Sequence, residues 1–236
     1  QISKAFRQGE AGRYHNPEFT LLEWYRVGWD HTALMREVAE LLGTVLEIRG
    51  WQVWPYRALF TELLDIDPLT YGNGSAVPES WLPVARSRLG DVPRDLDRDA
   101  FLDLLMSHCI EPDIEEWGIV FVTDFPQSQA ALARKMQVAS HAVAARFECY
   151  VQGRELANGY WEQSDPQLLA EQLKADNARR KRRQLAERPI DERLLAAHHH
   201  GLPDCAGVAL GIDRLLALKL GADSLQEVMS FAWPVA

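Results

Sequence analysis

Polar and apolar positions along this chain first alternate, then recur at helical spacing, then alternate again. Ile2 to Arg7 reads as a short strand, Gly9 to Pro17 as a polar, turn-rich loop, and Phe19 to Val27 as an aromatic, β-prone strand. Asp30 is placed to cap a helix in which Leu34, Val38, Leu41, Leu42 and Val45 share one face. Prolines and glycines break the pattern from Trp51 to Arg98, with a short helix expected near Leu59 to Leu64. Asp97 to Ile110 predicts another helix, with Phe101, Leu104, Leu105 and His108 on one side. Gly118 to Thr123 is a buried strand ended by Phe125-Pro126. Arg146 to Val151 and Arg154 to Tyr160 flank Gln152-Gly153, a hairpin signal. Pro166 to Leu185 predicts a charged, exposed helix and Asp191 to His200 another. Val208 to Gly211 reads as a glycine-flanked strand that runs into a helix from Asp213 to Leu220. Strands in hairpins with helices between them predict an α+β fold built on an antiparallel sheet flanked by helices.

Composition narrows the class. A length of 236 residues fits one domain, residues 1–236, with a full core. Apolar residues make up 47% and charged residues 25%, an ordinary globular balance. No apolar run approaches the roughly 20 residues that span a membrane, and Gln1 to Arg7 lacks a signal-peptide shape. Cys109, Cys149 and Cys205 are too scattered for a disulfide framework, so a cytoplasmic setting is expected. The net charge of −9 argues against a chain that grips RNA mainly through phosphates. Arg179-Arg180-Lys181-Arg182-Arg183 runs against that balance, either as a solvated helix face or as a docking patch for an acidic partner.

Three segments carry chemistry. The first is Phe6-Arg7, the run Arg13 to Thr20, and Glu23-Trp24-Tyr25. An arginine at a strand end offers a planar fork of donors to a phosphate. Arg13 and His15 add donors nearby, and Phe19 offers a flat face to a purine. Taken singly, Phe19 could be core and Arg7 a surface ion pair; their ordered combination is the specific signal. The second segment runs from Phe147-Glu148 through Glu155 and Asn158 to Glu162. If Gln152-Gly153 closes a two-residue hairpin, Tyr150 faces Glu155 and Glu148 faces Ala157. Glu148 and Glu155 then lie diagonally on one face, about 7–8 Å apart at the backbone. Carboxylates so placed either converge on a hard cation such as Mg²⁺ or face water. Asn158 and Glu162 have the opposite parity from Glu155, so one shared pocket requires a bulge, which Gly159 would ease. In the third segment, Gly207 to Arg214, Asp213 can cap a helix. Arg214 in a first helical turn opposes the helix dipole, which suits an anion such as triphosphate.

In this order the three segments resemble motif 2, the metal-binding strand pair and motif 3 of the class II aminoacyl-tRNA synthetases. The resemblance is to the lysyl type, and within it to the branch that modifies elongation factor P. It implies that Arg7 holds the α-phosphate and the attacked carboxylate, and that His15 and Arg214 hold the outer phosphates of ATP. It implies Phe19 against adenine, with Glu148 and Glu155 on Mg²⁺. Glu23, Tyr25 and Glu162 would take the distal ammonium of a lysine-like substrate, with Asn158 near its carboxylate. Where the family often has a glutamate contacting adenine this chain has Gly9, and the adjacent Glu10 is the substitute. Ala209 stands where lysyl-tRNA synthetases have glycine and narrows the floor of the amino-acid pocket. Only 22 residues follow Arg214, so tRNA is not the expected acceptor. The implied reaction joins (R)-β-lysine to a lysine of elongation factor P. The alternatives are tRNA charging by a lysyl-tRNA synthetase fragment and a regulator that binds ligand without catalysis. Motif 1, which builds the family's dimer interface, has no counterpart before motif 2. An N-terminal truncation is therefore expected, and the resemblance itself implies a homodimer. His198-His199-His200 is read as a solvent-facing helix end and Cys205 as a small core residue.

Overall fold

The computed structural model describes residues 1–70, 76–93, 95–182 and 184–233. Strands β1 (Ile2–Phe6), β2 (Glu18–Val27), β3 (Trp51–Pro55), β4 (Ile119–Pro126), β5 (Lys135–Val138), β6 (His141–Val151), β7 (Arg154–Trp161) and β8 (Cys205–Gly211) form one sheet. Its order is β1-β2-β8-β7-β6-β4-β3, with β5 beside β6. Every pairing is antiparallel except β3 with β4, which is parallel. The antiparallel expectation therefore needs correction at this edge. The whole helical stretch between Pro55 and Ile119 serves as the crossover that a parallel pair requires.

The helices are α1 (His31–Leu46), α2 (Tyr56–Leu64), α3 (Leu82–Leu89), α4 (Arg98–Leu105), the short α5 (Glu111–Asp113), α6 (Pro166–Arg182), α7 (Glu192–His200) and α8 (Ile212–Leu220). Asp30 caps α1 as its sequence predicts, accepting from the Ala33 N–H at 2.7 Å. Asp97 caps α4 the same way. Past α4 the chain widens into a π turn over Met106–Ile110. The extra residue in that turn shifts the phase. Cys109 and Ile110 face inward and His108, expected inside, is exposed. Arg183, the last residue of the basic run, lies outside the described residues.

Two apolar clusters hold the sheet. Leu34, Val38 and Leu42 of α1, with Leu215 and Leu218 of α8, pack on one face against Phe121, Phe147, Cys149, Val208 and Leu210. On the other face Tyr56, Phe60, Phe101, Leu102 and Leu105 pack against Val120, Val122, Phe125 and Tyr150. β4 is covered on both sides, which is why Ile119–Val122 is an unbroken apolar run. The second cluster stops at β6. Beyond it the same face of β7, β8 and β2 is left open and carries polar side chains.

Candidate active site

That uncovered face floors a cavity of about 450 Å³. Arg7, Glu10, His15, Phe19, Glu23, Tyr25, Glu148, Glu155, Asn158, Glu162, Ala209 and Arg214 all line it. The sheet register explains the convergence. Glu23 pairs with Ala209, Ala209 with Asn158, and Asn158 with Glu148. These four residues form one row across four strands. The next row runs Tyr25, Gly207, Tyr160, Arg146. Side chains that share a row and a face point into the same space.

Glu155 joins them only through a bulge. Tyr150 pairs with Glu155 as expected, but Cys149 pairs with Ala157 and Glu148 with Asn158, so Leu156 is the extra residue. The expected pairing of Glu148 with Ala157 is thus corrected, and the bulge sits at Leu156 rather than at Gly159. One inserted residue reverses the parity of everything after it. Leu156 and Ala157 both turn to the core, while Glu155, Asn158, Tyr160 and Glu162 all line the cavity. Gly159 has a different use: a Cβ there would lie 2.3 Å from Cζ of Phe147.

One end of the cavity is cationic. Arg214 donates from Nε to the Tyr14 carbonyl at 3.1 Å and from Nη1 to the Glu155 carbonyl at 2.8 Å. Its Nη1 also lies 3.9 Å from the Glu155 carboxylate. Asp213 does not cap α8, whose N-cap is Gly211; its Oδ2 instead accepts from the Thr20 N–H at 2.6 Å and ties the helix to β2. Arg7 donates to the Glu10 carboxylate at 3.1 Å and lies over the Phe19 ring at 5.3 Å. Burial and the nearby Arg214 hold the His15 pKa below its ordinary value. Arg13, expected as a further donor to the site, is instead tethered to Asp223 at 2.9 Å. That tether anchors the loop from outside the cavity.

Glu148 occupies the centre. Arg146 and Asn158 donate to its Oε1, Asn158 at 3.2 Å, and the Tyr150 hydroxyl donates to Oε2. Arg146 is itself fixed by the Gln129 carbonyl at 2.8 Å and lies over the Phe125 ring at 4.5 Å. Glu148 is therefore not a bare charge facing Glu155, because a guanidinium already neutralises it. Burial, and then the Glu148 charge, push the Glu155 pKa up to about 7. The Glu155 side chain keeps 37% exposure through the cleft. Glu155 accepts no hydrogen bond through its carboxylate among the described residues and only the long contact from Arg214 reaches its Oε2, so with the second lone pair of Glu148 Oε2 it offers oxygen donors of the kind a hard cation takes.

The other end is acidic. Burial pushes the Glu162 pKa up to about 7, and no hydrogen bond or ion pair holds its carboxylate among the described residues. Burial, then Glu162 and Glu23, raise the Tyr25 pKa, which reports how close the three groups lie. Gly207 makes that approach possible. A Cβ there would sit 2.5 Å from Glu162 Oε1 and 2.5 Å from Tyr25 Cε1. Sequence reasoning missed Arg146, Tyr160 and Gly207 as cavity residues, although strand parity with Glu148 and Asn158 points to the first two. Tyr14, which stacks under Arg154 at 4.0 Å, left no such signal.

The chain matches the class II tRNA synthetases (D, K and N) over residues 1–234. It is 48% identical to the elongation factor P–(R)-β-lysine ligase of Vibrio parahaemolyticus over 239 residues, spanning 100% of this chain and 72% of that protein. The ligase of the same name from Vibrio cholerae is also 48% identical, over 237 residues, with the same coverage. That of Edwardsiella ictaluri is 44% identical over 98% of this chain and 70% of its own length. The chain therefore belongs to the class II tRNA synthetase family, within its elongation factor P–(R)-β-lysine ligase branch.

Proposed function

We propose that this cleft condenses ATP with (R)-β-lysine and passes the aminoacyl group to a lysine side chain of elongation factor P. One observation carries the reading: a single cavity has guanidinium groups at one end and a half-buried acid with no partner among the described residues at the other. A substrate with a carboxylate and a distal ammonium fits between those poles. Arg7 and Arg214 neutralise phosphate charge, His15 holds the outer phosphates, and Phe19, flanked by Glu10, takes the adenine. Glu23, Tyr25 and Glu162 take the ammonium, and Asn158 faces the substrate carboxylate above Ala209. Glu148 and Glu155 would hold Mg²⁺, which would offset charge on the phosphates.

The substrate carboxylate oxygen attacks the α-phosphorus, the bond to the bridging oxygen breaks, and pyrophosphate leaves. The neutral ε-amine of the acceptor then attacks the activated carbonyl. The carbonyl–AMP bond breaks, an amide forms, and a proton is released. The side chains act by positioning and by charge neutralisation in a site prepared in advance. Uncharged analogues would leave the acids unpaired, which is a strong basis for rejection. A cytoplasmic setting, a homodimer and one catalytic domain belong to the same proposal.

The test has two arms. Pyrophosphate exchange with lysine analogues reports the first half-reaction, and mass analysis of elongation factor P reports the second. Exchange that is strongest with (R)-β-lysine, followed by a mass shift on the acceptor protein, is expected. Charging of tRNA with no shift on elongation factor P would overturn the reading in favour of a lysyl-tRNA synthetase activity.

A further inference from the structure

The basic run on α6 has no role in the chemistry above. Only Leu169 and Gln172 of this helix are buried, so α6 stands at the side of the body, with Lys181 and Arg182 exposed and Arg179 and Arg180 half-buried in its last turn. That turn carries Arg179, Arg180, Lys181 and Arg182 in a chain of net charge −9. Described residues of the connection to α7 bond back to α6. Arg180 Nε donates to the Ala186 carbonyl at 2.8 Å, and Asn177 exchanges hydrogen bonds with the Arg188 backbone at 2.8 and 2.9 Å. Arg179 is paired with Asp176, and Lys181 approaches Glu187 only at 3.9 Å. The guanidiniums of Arg182 and Arg188 are exposed and have no partner among the described residues. Unpaired cations held on a fixed hairpin form a surface that favours an anionic partner.

The hairpin also borders a second cavity, of about 640 Å³, rimmed by Arg180 and Arg188. Phe125, Leu173, Leu185 and Leu194 give it apolar walls, Asp99, Asp103, Asp176 and Asp191 line it as well, and Arg146 and Glu148 border it. Those two residues line the active-site cleft as well. The two cavities are thus neighbours with one shared pair of side chains between them.

We propose that the α6–α7 hairpin is the dock for the protein acceptor, which presents an acidic surface to Arg182 and Arg188 and sends its lysine into the cavity beneath. This rests on the proposed transfer to a protein. The exposed guanidiniums of Arg182 and Arg188 match an acidic partner surface, the apolar walls suit the alkyl stem of a lysine, and the aspartates lining the cavity suit its amino end.

The test uses the full chain with the double reversal Arg182→Glu and Arg188→Glu, alongside the neutral pair Arg182→Gln and Arg188→Gln. Two rates are measured: pyrophosphate exchange with (R)-β-lysine, and transfer to elongation factor P at low and high salt. Exchange should stay within about twofold of the parent, while kcat/KM for the acceptor drops about tenfold or more at low salt. The neutral pair should fall between, and the gap should narrow as salt screens the contact. Unchanged transfer in the reversed variant overturns the dock. Equal losses in exchange and transfer also overturn it, because the arginines would then support the fold. A defect confined to tRNA charging overturns it in favour of a nucleic-acid surface. Absence of exchange in the parent chain counts against the adenylation reading instead, so the two failures are distinguishable.

Discussion

Glu162 concentrates the residue-scale argument. Its carboxyl is surrounded by protein, unpaired among the described residues, and shifted up to about 7. In the empty cleft it is mostly protonated below that pH, yet only the carboxylate can pair with an ammonium. Binding a cationic substrate must therefore expel a proton, and affinity should rise as pH climbs through 7. KM for the lysine-like substrate is expected to fall between pH 6 and pH 8. In Glu162→Gln this slope should vanish, and kcat/KM should drop about a hundredfold because a charge pair has lost one partner. Exchange kinetics across that range check both points; a variant with the parent's pH profile would remove Glu162 from ammonium recognition. Gly207 belongs to the same argument. Its missing side chain lets Tyr25 and Glu162 share a space that a methyl group would fill.

At the scale of elements, the site is legible in sequence wherever strand parity alone decides direction. Glu23 and Tyr25 stand two apart on β2, and Glu148 and Arg146 two apart on β6, so each pair shares a face. Parity also demanded a bulge in β7. The glycine at 159 drew the expectation to the wrong place, because only an extra residue between Glu155 and Asn158 brings those two to one face, and the pairing of Glu148 with Asn158 puts it at Leu156. The parallel edge was hidden for a related reason. Trp51–Pro55 is short, follows Gly50 and ends in proline, and only its neighbour β4 defines it as a strand. Asp213 misled in the opposite way. An aspartate at a helix start looks like a cap, but its acceptor goes to Thr20 on β2. That contact fixes the motif 3 helix against the motif 2 strand. Replacing Asp213 with alanine leaves the Thr20 N–H unsatisfied and should cost about 1–3 kcal/mol of stability. Urea denaturation measures this, and a variant unfolding at the parent's midpoint would show that the bond contributes nothing net.

At the scale of the whole molecule, the fold brings acids from distant parts of the chain close enough to feel one another's charge. Glu155 and Glu162 come from the β7 strand and its end, whereas Glu111 opens the short helix α5. Burial, followed by the charges of Glu155 and Glu148, pushes the Glu111 pKa up to about 7 from an ordinary 4.5. The sign of its effect on stability follows. Between those two values the unfolded chain has released the proton and the folded chain retains it. Stability contributed by this group therefore declines as pH rises from 4.5 to 7 and is flat above. His15 and His31, whose pKa values are lowered chiefly by burial, act in the opposite direction just below 6.5. The total curve mixes these effects, so a difference measurement isolates Glu111. Glu111→Gln carries no titrating group, and its melting temperature minus that of the parent should increase from pH 5 to pH 7.5. Addition of Mg²⁺ and ATP should shrink that difference, since bound cation offsets the carboxylates that repel Glu111. Parallel melting curves across the range would mean that Glu111 is not held in the strained, protonated state that the crowded acids impose on it.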